Sequence, residues 1–240
     1  AHGGNATNSI DDKLPFAYEE PWDGTSGTSE FNVFGSQLQN GSITYKLPAM
    51  EMMGATITGG LDYSFQGGSD AANDGGATAR SNTWGNAYGL GLTVAYDALS
   101  IGAFVSEREN KNPSADTTVE DEFGGSWNVK YSAGPVSIGY SEFYHNTGIA
   151  DNVSATTDAK TTGTASGQYE GDMFSIAFNV NDDLSISYSE MTSTHDTRGH
   201  VATSGSVAQE PDVDEKHESL QAAYSMGAMS IKAYTTEITN

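Results

Sequence analysis

The sequence predicts an all-β chain folded as an antiparallel up-and-down meander, and three observations predict it. Apolar and polar residues alternate with period two in ten segments, the signature of strands with one apolar and one polar face. The connections alternate as well, a short turn followed by a long polar loop. The strand after a short turn recurs as LSIGAFVSE (99–107), VSIGYSE (136–142), LSISYSE (184–190) and MSIKAYTTE (229–237). The spacing between copies varies, so the hairpins repeat while their loops differ, unlike a solenoid of fixed period.

The chain is predicted to be a single domain over 1–240, in which residues 1–40 are acidic and without strand period and a ten-stranded meander occupies 41–240. In order, the alternation runs through Ile43–Leu47, Ala55–Phe65, Tyr88–Tyr96, Leu99–Val105, Trp127–Tyr131, Val136–Tyr140, Phe174–Val180, Leu184–Tyr188, Leu220–Met226 and Met229–Ala233. Short turns are predicted near Pro48–Glu51, Asp97–Ala98, Ala133–Pro135, Asn181–Asp183 and Gly227–Ala228. Long loops are predicted over Gln66–Trp84, Arg108–Phe123, Asn146–Gly167 and Thr192–Lys216.

Composition excludes several classes. Ten Lys+Arg against 32 Asp+Glu give a net charge of −22, which opposes a nucleic-acid partner held by phosphate neutralisation. No window approaches the ~18–20 continuous apolar residues of a membrane-spanning helix. There are 28 Gly but 6 Pro and no Gly-X-Y period, which removes collagen, and 12 Tyr oppose general disorder. The chain has no Cys, so thiolate metal sites and cysteine nucleophiles are absent and the redox compartment stays open. Residues Ala1–Ser9 lack the basic start and apolar run of a signal peptide.

A soluble sandwich and a membrane barrel both alternate, and the chemistry of the two faces separates them. The polar parity carries Thr56, Thr58, Asp62, Asn128, Lys130, Ser185, Ser187, Gln221, Ser230 and Lys232 with small glycines among them, which suits a water-filled lumen. The apolar parity places Tyr or Trp near strand ends (Tyr45, Tyr63, Tyr88, Tyr96, Trp127, Tyr131, Tyr224), as the interfacial girdles of a barrel require. Strands of about 9–11 residues cross a bilayer at a tilt. The predicted fold is therefore an antiparallel transmembrane β-barrel, with a non-porous β-rich surface protein, an adhesin or S-layer-like domain, as the alternative.

The segment AHGGNATNSIDDKLPFAYEEPWDG (1–24), the meander opening NGSITYKLP (40–48) and the closing hairpin AAYSMGAMSIKAYTTEI (222–238) resemble, in that order, the general porins of Gram-negative outer membranes, especially the alphaproteobacterial type. The resemblance covers essentially the whole chain. It implies a homotrimer in outer-membrane lipid and lipopolysaccharide that passes small hydrophilic solutes and ions by passive diffusion, with no cofactor. In this family the third loop, acidic, folds into the barrel and narrows it, and residues 1–40 are similar to that loop. Members begin with several strands before it and finish on a strand ending in an aromatic residue, whereas this chain starts in the loop and stops at Asn240. Five strands before the loop and one after Asn240 would make the ten here part of a 16-stranded barrel.

By that resemblance Asp11, Asp12, Lys13, Glu19, Glu20 and Asp23 form the pore constriction, where carboxylates in a narrow passage favour cations. Lys46, Asp62, Lys130 and Lys232 fall on lumen parity as pore wall; the three lysines either face the acidic loop across the pore or are solvated wall residues. Glu107, Glu142, Glu190 and Glu237 fall on the lipid-facing parity and must lie above the apolar band, as divalent or lipid contacts or as solvated strand ends. Ca²⁺ or Mg²⁺ at the acidic loops is the one ion chemistry on offer; GGSDAANDGG (67–76) is similar to a single calcium-binding Gly/Asp repeat without the flanking period. No GxSxG, HExxH or Walker loop is present, so no enzyme is expected, and His195 and His200 in THDTRGH are expected to be solvated in a loop. His145, near a strand end, has no Ser or Asp assigned to it as a catalytic partner.

Overall fold

In the computed structural model the described residues are 13–18, 42–65, 84–110, 121–146, 168–196, 200–201, 207–208 and 213–239. They form β1 (Ser42–Met52), β2 (Ala55–Ser64), β3 (Trp84–Tyr96), β4 (Leu99–Asn110), β5 (Glu122–Ala133), β6 (Val136–Asn146), β7 (Gln168–Asn179), β8 (Leu184–Asp196), β9 (His200–Val201), β10 (Val207–Ala208), β11 (Val213–Met226) and β12 (Met229–Thr239). Ten of these make one antiparallel sheet in the order β1-β2-β3-β4-β5-β6-β7-β8-β11-β12, each strand beside its neighbour in the chain. The pair β9–β10 is a separate ladder within the connection from β8 to β11. β1 and β12 end the sheet, and no ladder joins them.

The short turns are set by backbone conformation. Met53 and Gly54 have φ of 53° and 84°, the pair of positive angles that a type I′ hairpin turn requires. Asp97, Gly134 and Gly227 take positive φ at the first turn position of the other two-residue connections. Between β7 and β8, the Asn181 side-chain oxygen accepts from the Asp183 and Leu184 amides at 2.8 and 2.9 Å, an Asx turn. Turn backbones also pair with the next hairpin: the Ser132 amide donates to Ala98 O, Asn179 to Pro135 O and Ser225 to Asp183 O.

One rung crosses all ten strands through Glu237, Glu218, Glu190, Phe174, Tyr140, Val129, Ile101, Val94, Ile57 and Met50. It meets β12 eight residues above Met229 at its turn end, yet meets β1 only two residues from Met52. The strands are thus staggered against the line of turns, as tilted strands are.

The structure corrects several boundaries. Pro48–Glu51 is no turn: it lies inside β1, and the turn follows at Met53–Gly54. Pro48 has no N–H to give a ladder, and the register shifts between Leu47 and Met50, so the edge strand absorbs the proline in a bulge. The long connections are shorter than expected, because Trp84, Arg108–Asn110, Glu122, Phe123, Asn146, Thr192–Asp196 and Val213–Lys216 belong to strands. His195 accordingly sits in β8 and His200 in β9, not in an unstructured loop. Cross-strand pairing carries these polar ends, where the apolar alternation has already faded.

Backbone strain at the turns is testable apart from packing. Nothing lies within 4 Å of a Cβ built on Gly134 or Gly227. Gly134→Ala and Gly227→Ala should therefore each lower stability by about 1–2 kcal/mol through the positive φ alone. Met53→Asn, which creates the Asn-Gly pair favoured in type I′ turns, should raise it. Denaturant unfolding midpoints give the sign, and a lowered midpoint for Met53→Asn would contradict the turn assignment.

Candidate functional site

The two faces of the sheet have opposite chemistry, and the polar one is covered. Ser64, Ser175, Ser189, Asn128, Gln221 and Asp62 on that inner face are buried. On the outer face Leu61, Leu92, Ile101, Trp127, Leu220 and Ile231 are 41–58% exposed. This inverts the ordinary arrangement of a sheet packed on a core.

Residues 13–18 lie on the inner face. Ser175 Oγ donates to Pro15 O at 2.8 Å, the Ala17 amide donates to Ser187 Oγ at 2.8 Å, and the Tyr18 amide donates to Gln221 Oε1 at 3.1 Å. Three strands, β7, β8 and β11, thereby hold successive residues of one segment. Leu14 is buried with Phe104, Phe143, Tyr169, Met173 and Met191, and Phe16 packs against that cluster. Gly139 makes room: a Cβ there would meet Leu14 Cδ2 at 2.6 Å and Pro15 Cδ at 2.7 Å. The segment's far end reaches β12, where Lys232 Nζ lies 4.4 Å from the Tyr18 ring centroid and the Tyr18 and Tyr234 rings are 5.9 Å apart.

Of the predicted constriction residues, Lys13 is described, its Nζ 5.7 Å from the Phe104 ring centroid. Asp11, Asp12, Glu19, Glu20 and Asp23 lie outside the described residues. Among the wall residues, Asp62 is buried and accepts from Thr44 Oγ1 at 2.6 Å. Lys46 pairs in register with Gly60, and Lys130 with Ser100 and Gly139. Of these four, Lys232 lies against the 13–18 segment, over the Tyr18 ring.

Two charged groups are buried on the inner face near the long connections. Arg108 of β4 and His145 of β6 both contact Glu122 of β5, the histidine at 3.0 Å, and the Tyr169 ring stacks on His145. His217 and Glu215 of β11 form a second pair. A buried carboxylate left alone costs several kcal/mol, so these partners stabilise the ends of four strands. The inner-face Phe104, Phe143, Met173 and Met191 escaped sequence reasoning because they sit on polar parity. The signal was the doublet at Phe104-Val105 and Met173-Phe174, where an apolar residue breaks strict alternation.

Glu107, Glu142, Glu190 and Glu237 share the outer face but not one position. Glu142 accepts from Trp127 Nε1 at 3.0 Å and Tyr140 OH at 2.8 Å. Glu190 accepts from Tyr188 OH and pairs with Lys216, and its rung continues through Glu218 to Glu237. Among the described residues, no three His, Asp or Glu side chains are grouped to hold a metal ion. The acidic connections named for Ca²⁺ or Mg²⁺, 67–76 among them, lie outside the described residues.

No family model matches the chain, and none of the curated proteins matches it.

Seating of the segment on Gly139 sets an expectation. Overpacking there by Gly139→Val costs about 1–3 kcal/mol, which is roughly a tenfold to hundredfold rise in the detached population. Trypsin should then cut after Lys13 faster by that order than in the parent chain. Equal cleavage rates would mean the segment does not depend on this contact.

Proposed function

We propose that the chain forms the wall of a transmembrane β-barrel in a Gram-negative outer membrane, a porin passing small hydrophilic solutes and ions by passive diffusion without catalysis or cofactor. The observation that carries this reading is the inverted polarity of the sheet. More than twenty large apolar side chains stand exposed on the outer face. Burying each is worth ~1.5–3 kcal/mol, so in water the fold forgoes tens of kcal/mol, more than the ~5–15 that stabilises a folded domain. Hydrocarbon against that face supplies the missing burial.

Water against the other face supplies what its hydroxyls need. Ser106, Ser126, Ser141 and Ser189 hydroxyls are buried without a hydrogen-bond partner among the described residues. Leaving such a group unmatched costs ~1–3 kcal/mol, which hydration in a passage removes. In hydrocarbon the open edges of β1 and β12 must also be paired, so the reading requires a closed barrel, and the porin resemblance sets it at 16 strands and three subunits.

Cations are the preferred ions. The net charge of −22 and the carboxylates at 11, 12, 19, 20 and 23, flanking a segment held on the inner face, favour them. Lys46, Lys130 and Lys232 on the same face oppose that bias. The lipid and lipopolysaccharide expected at the outer face would meet the carboxylates at the strand ends.

Recording in a planar bilayer should show discrete conductance steps, with a reversal potential under a KCl gradient that favours K⁺. Replacing Lys46, Lys130 and Lys232 together by Gln should raise the K⁺ preference. The preference should fall between 0.1 and 1 M salt as the screening length shrinks from ~10 to ~3 Å. A chain that stays soluble without detergent and shows no steps would instead be the non-porous surface protein.

A further inference from the structure

The outer-face carboxylates differ in how they are neutralised. Glu142 is held by Trp127 and Tyr140, while Glu190 and Glu218 share Tyr188 OH and Lys216. Glu107 has no hydrogen-bond or ion-pair partner among the described residues. Its rung neighbours are the rings of Tyr88 and Phe123. It also lines a groove of about 410 Å³ whose outer-face walls are otherwise Leu61, Tyr63, Tyr88, Leu90, Val105 and Phe123. Gly125, on the outer parity between Phe123 and Trp127, adds no side chain beside it: a Cβ there would be in ordinary contact with Phe104 O and Val105 Cγ1 at 3.6 Å and Phe123 Cε1 at 3.8 Å.

We propose that this groove is a lipid site, taking a hydrocarbon chain along its apolar walls and the primary ammonium of that lipid's headgroup at Glu107. The proposal rests on the outer face meeting a membrane. Charge complementarity selects the occupant. An apolar groove accepts an acyl chain, and a carboxylate without a partner accepts a cation that carries N–H donors. A divalent ion alone would leave the groove unfilled. A second copy of the chain would have to bring a basic outer-face residue, and Lys216, the outer-face lysine among the described residues, is already engaged by Glu190 and Glu218.

The test is native mass spectrometry of lipids retained by the full chain after reconstitution with phosphatidylethanolamine and phosphatidylcholine of matched acyl chains, with channel recording on the same preparation. The parent chain should retain phosphatidylethanolamine over phosphatidylcholine by roughly tenfold, the ratio that one charge-assisted hydrogen bond gives. Glu107→Gln should level the two lipids, and Val105→Trp, which fills the groove, should lose both, each with strand content kept by circular dichroism and conductance unchanged. Equal retention by a conducting parent chain, or a preference that survives Glu107→Gln, overturns the lipid site and leaves the pore standing. A preference abolished by EDTA overturns it in favour of a bridging metal ion. A preparation that takes up no lipid and shows no conductance overturns the membrane reading, and the site with it.

Discussion

Everything in this structure depends on the cross-strand ladder satisfying the backbone while side chains sort strictly onto two faces. Once each strand pairs with its sequence neighbour, period two leaves little freedom: a residue's parity decides its face along each ladder. Parity is reset where the register shifts, between Leu47 and Met50 in β1 and between Trp84 and Ala87 in β3. The unusual outcome is which face is covered. Serines, asparagine and glutamine are buried, while leucines, isoleucines and tryptophan are exposed. A sheet of this kind has no core of its own on the apolar side, and its surroundings must provide one.

The inner face is shaped to receive a chain segment. Gly139 gives the space, Ser175, Ser187 and Gln221 give the hydrogen bonds, and Phe104, Phe143, Met173 and Met191 give a local apolar bed for Leu14. Polar contacts alone would compete poorly with water, since each is worth only ~0.5–1.5 kcal/mol net. The apolar bed adds the burial that holds the segment in place, and Lys232 with Tyr234 extends the contact to the last strand. In the proposed pore this segment would set the width and the charge of the passage.

Strand existence and order were legible in the sequence because period two is strong wherever apolar residues occupy every second position, as in Ala55–Phe65 and Tyr88–Tyr96. Strand ends were not, because Arg108–Asn110, Thr192–Asp196 and Val213–Lys216 carry no apolar alternation; backbone ladders and cross-strand polar contacts such as Arg108–Glu122, Thr194–Asp214 and Lys216–Glu190 hold them. Pro48 misled for a related reason: proline reads as a turn, yet an edge strand tolerates it at a bulge. Lys232 was readable as an inner-face residue from parity, but its partner Tyr18 was not, since that contact joins residues distant in the chain. The buried pairing of Arg108, Glu122 and His145 likewise needs three strands in register before any of it is visible.

The central claim is that one face of the sheet meets hydrocarbon and the other meets water. The chain has no Cys, so single cysteines can be placed along β12 and spin-labelled in lipid vesicles. Collision with membrane-dissolved oxygen and with a water-soluble paramagnetic chelate then reads each position. Labels at 231, 233 and 235 should respond to oxygen and labels at 230, 232, 234 and 236 to the chelate, alternating along the strand. Chelate access at both sets, with no alternation, would contradict the account.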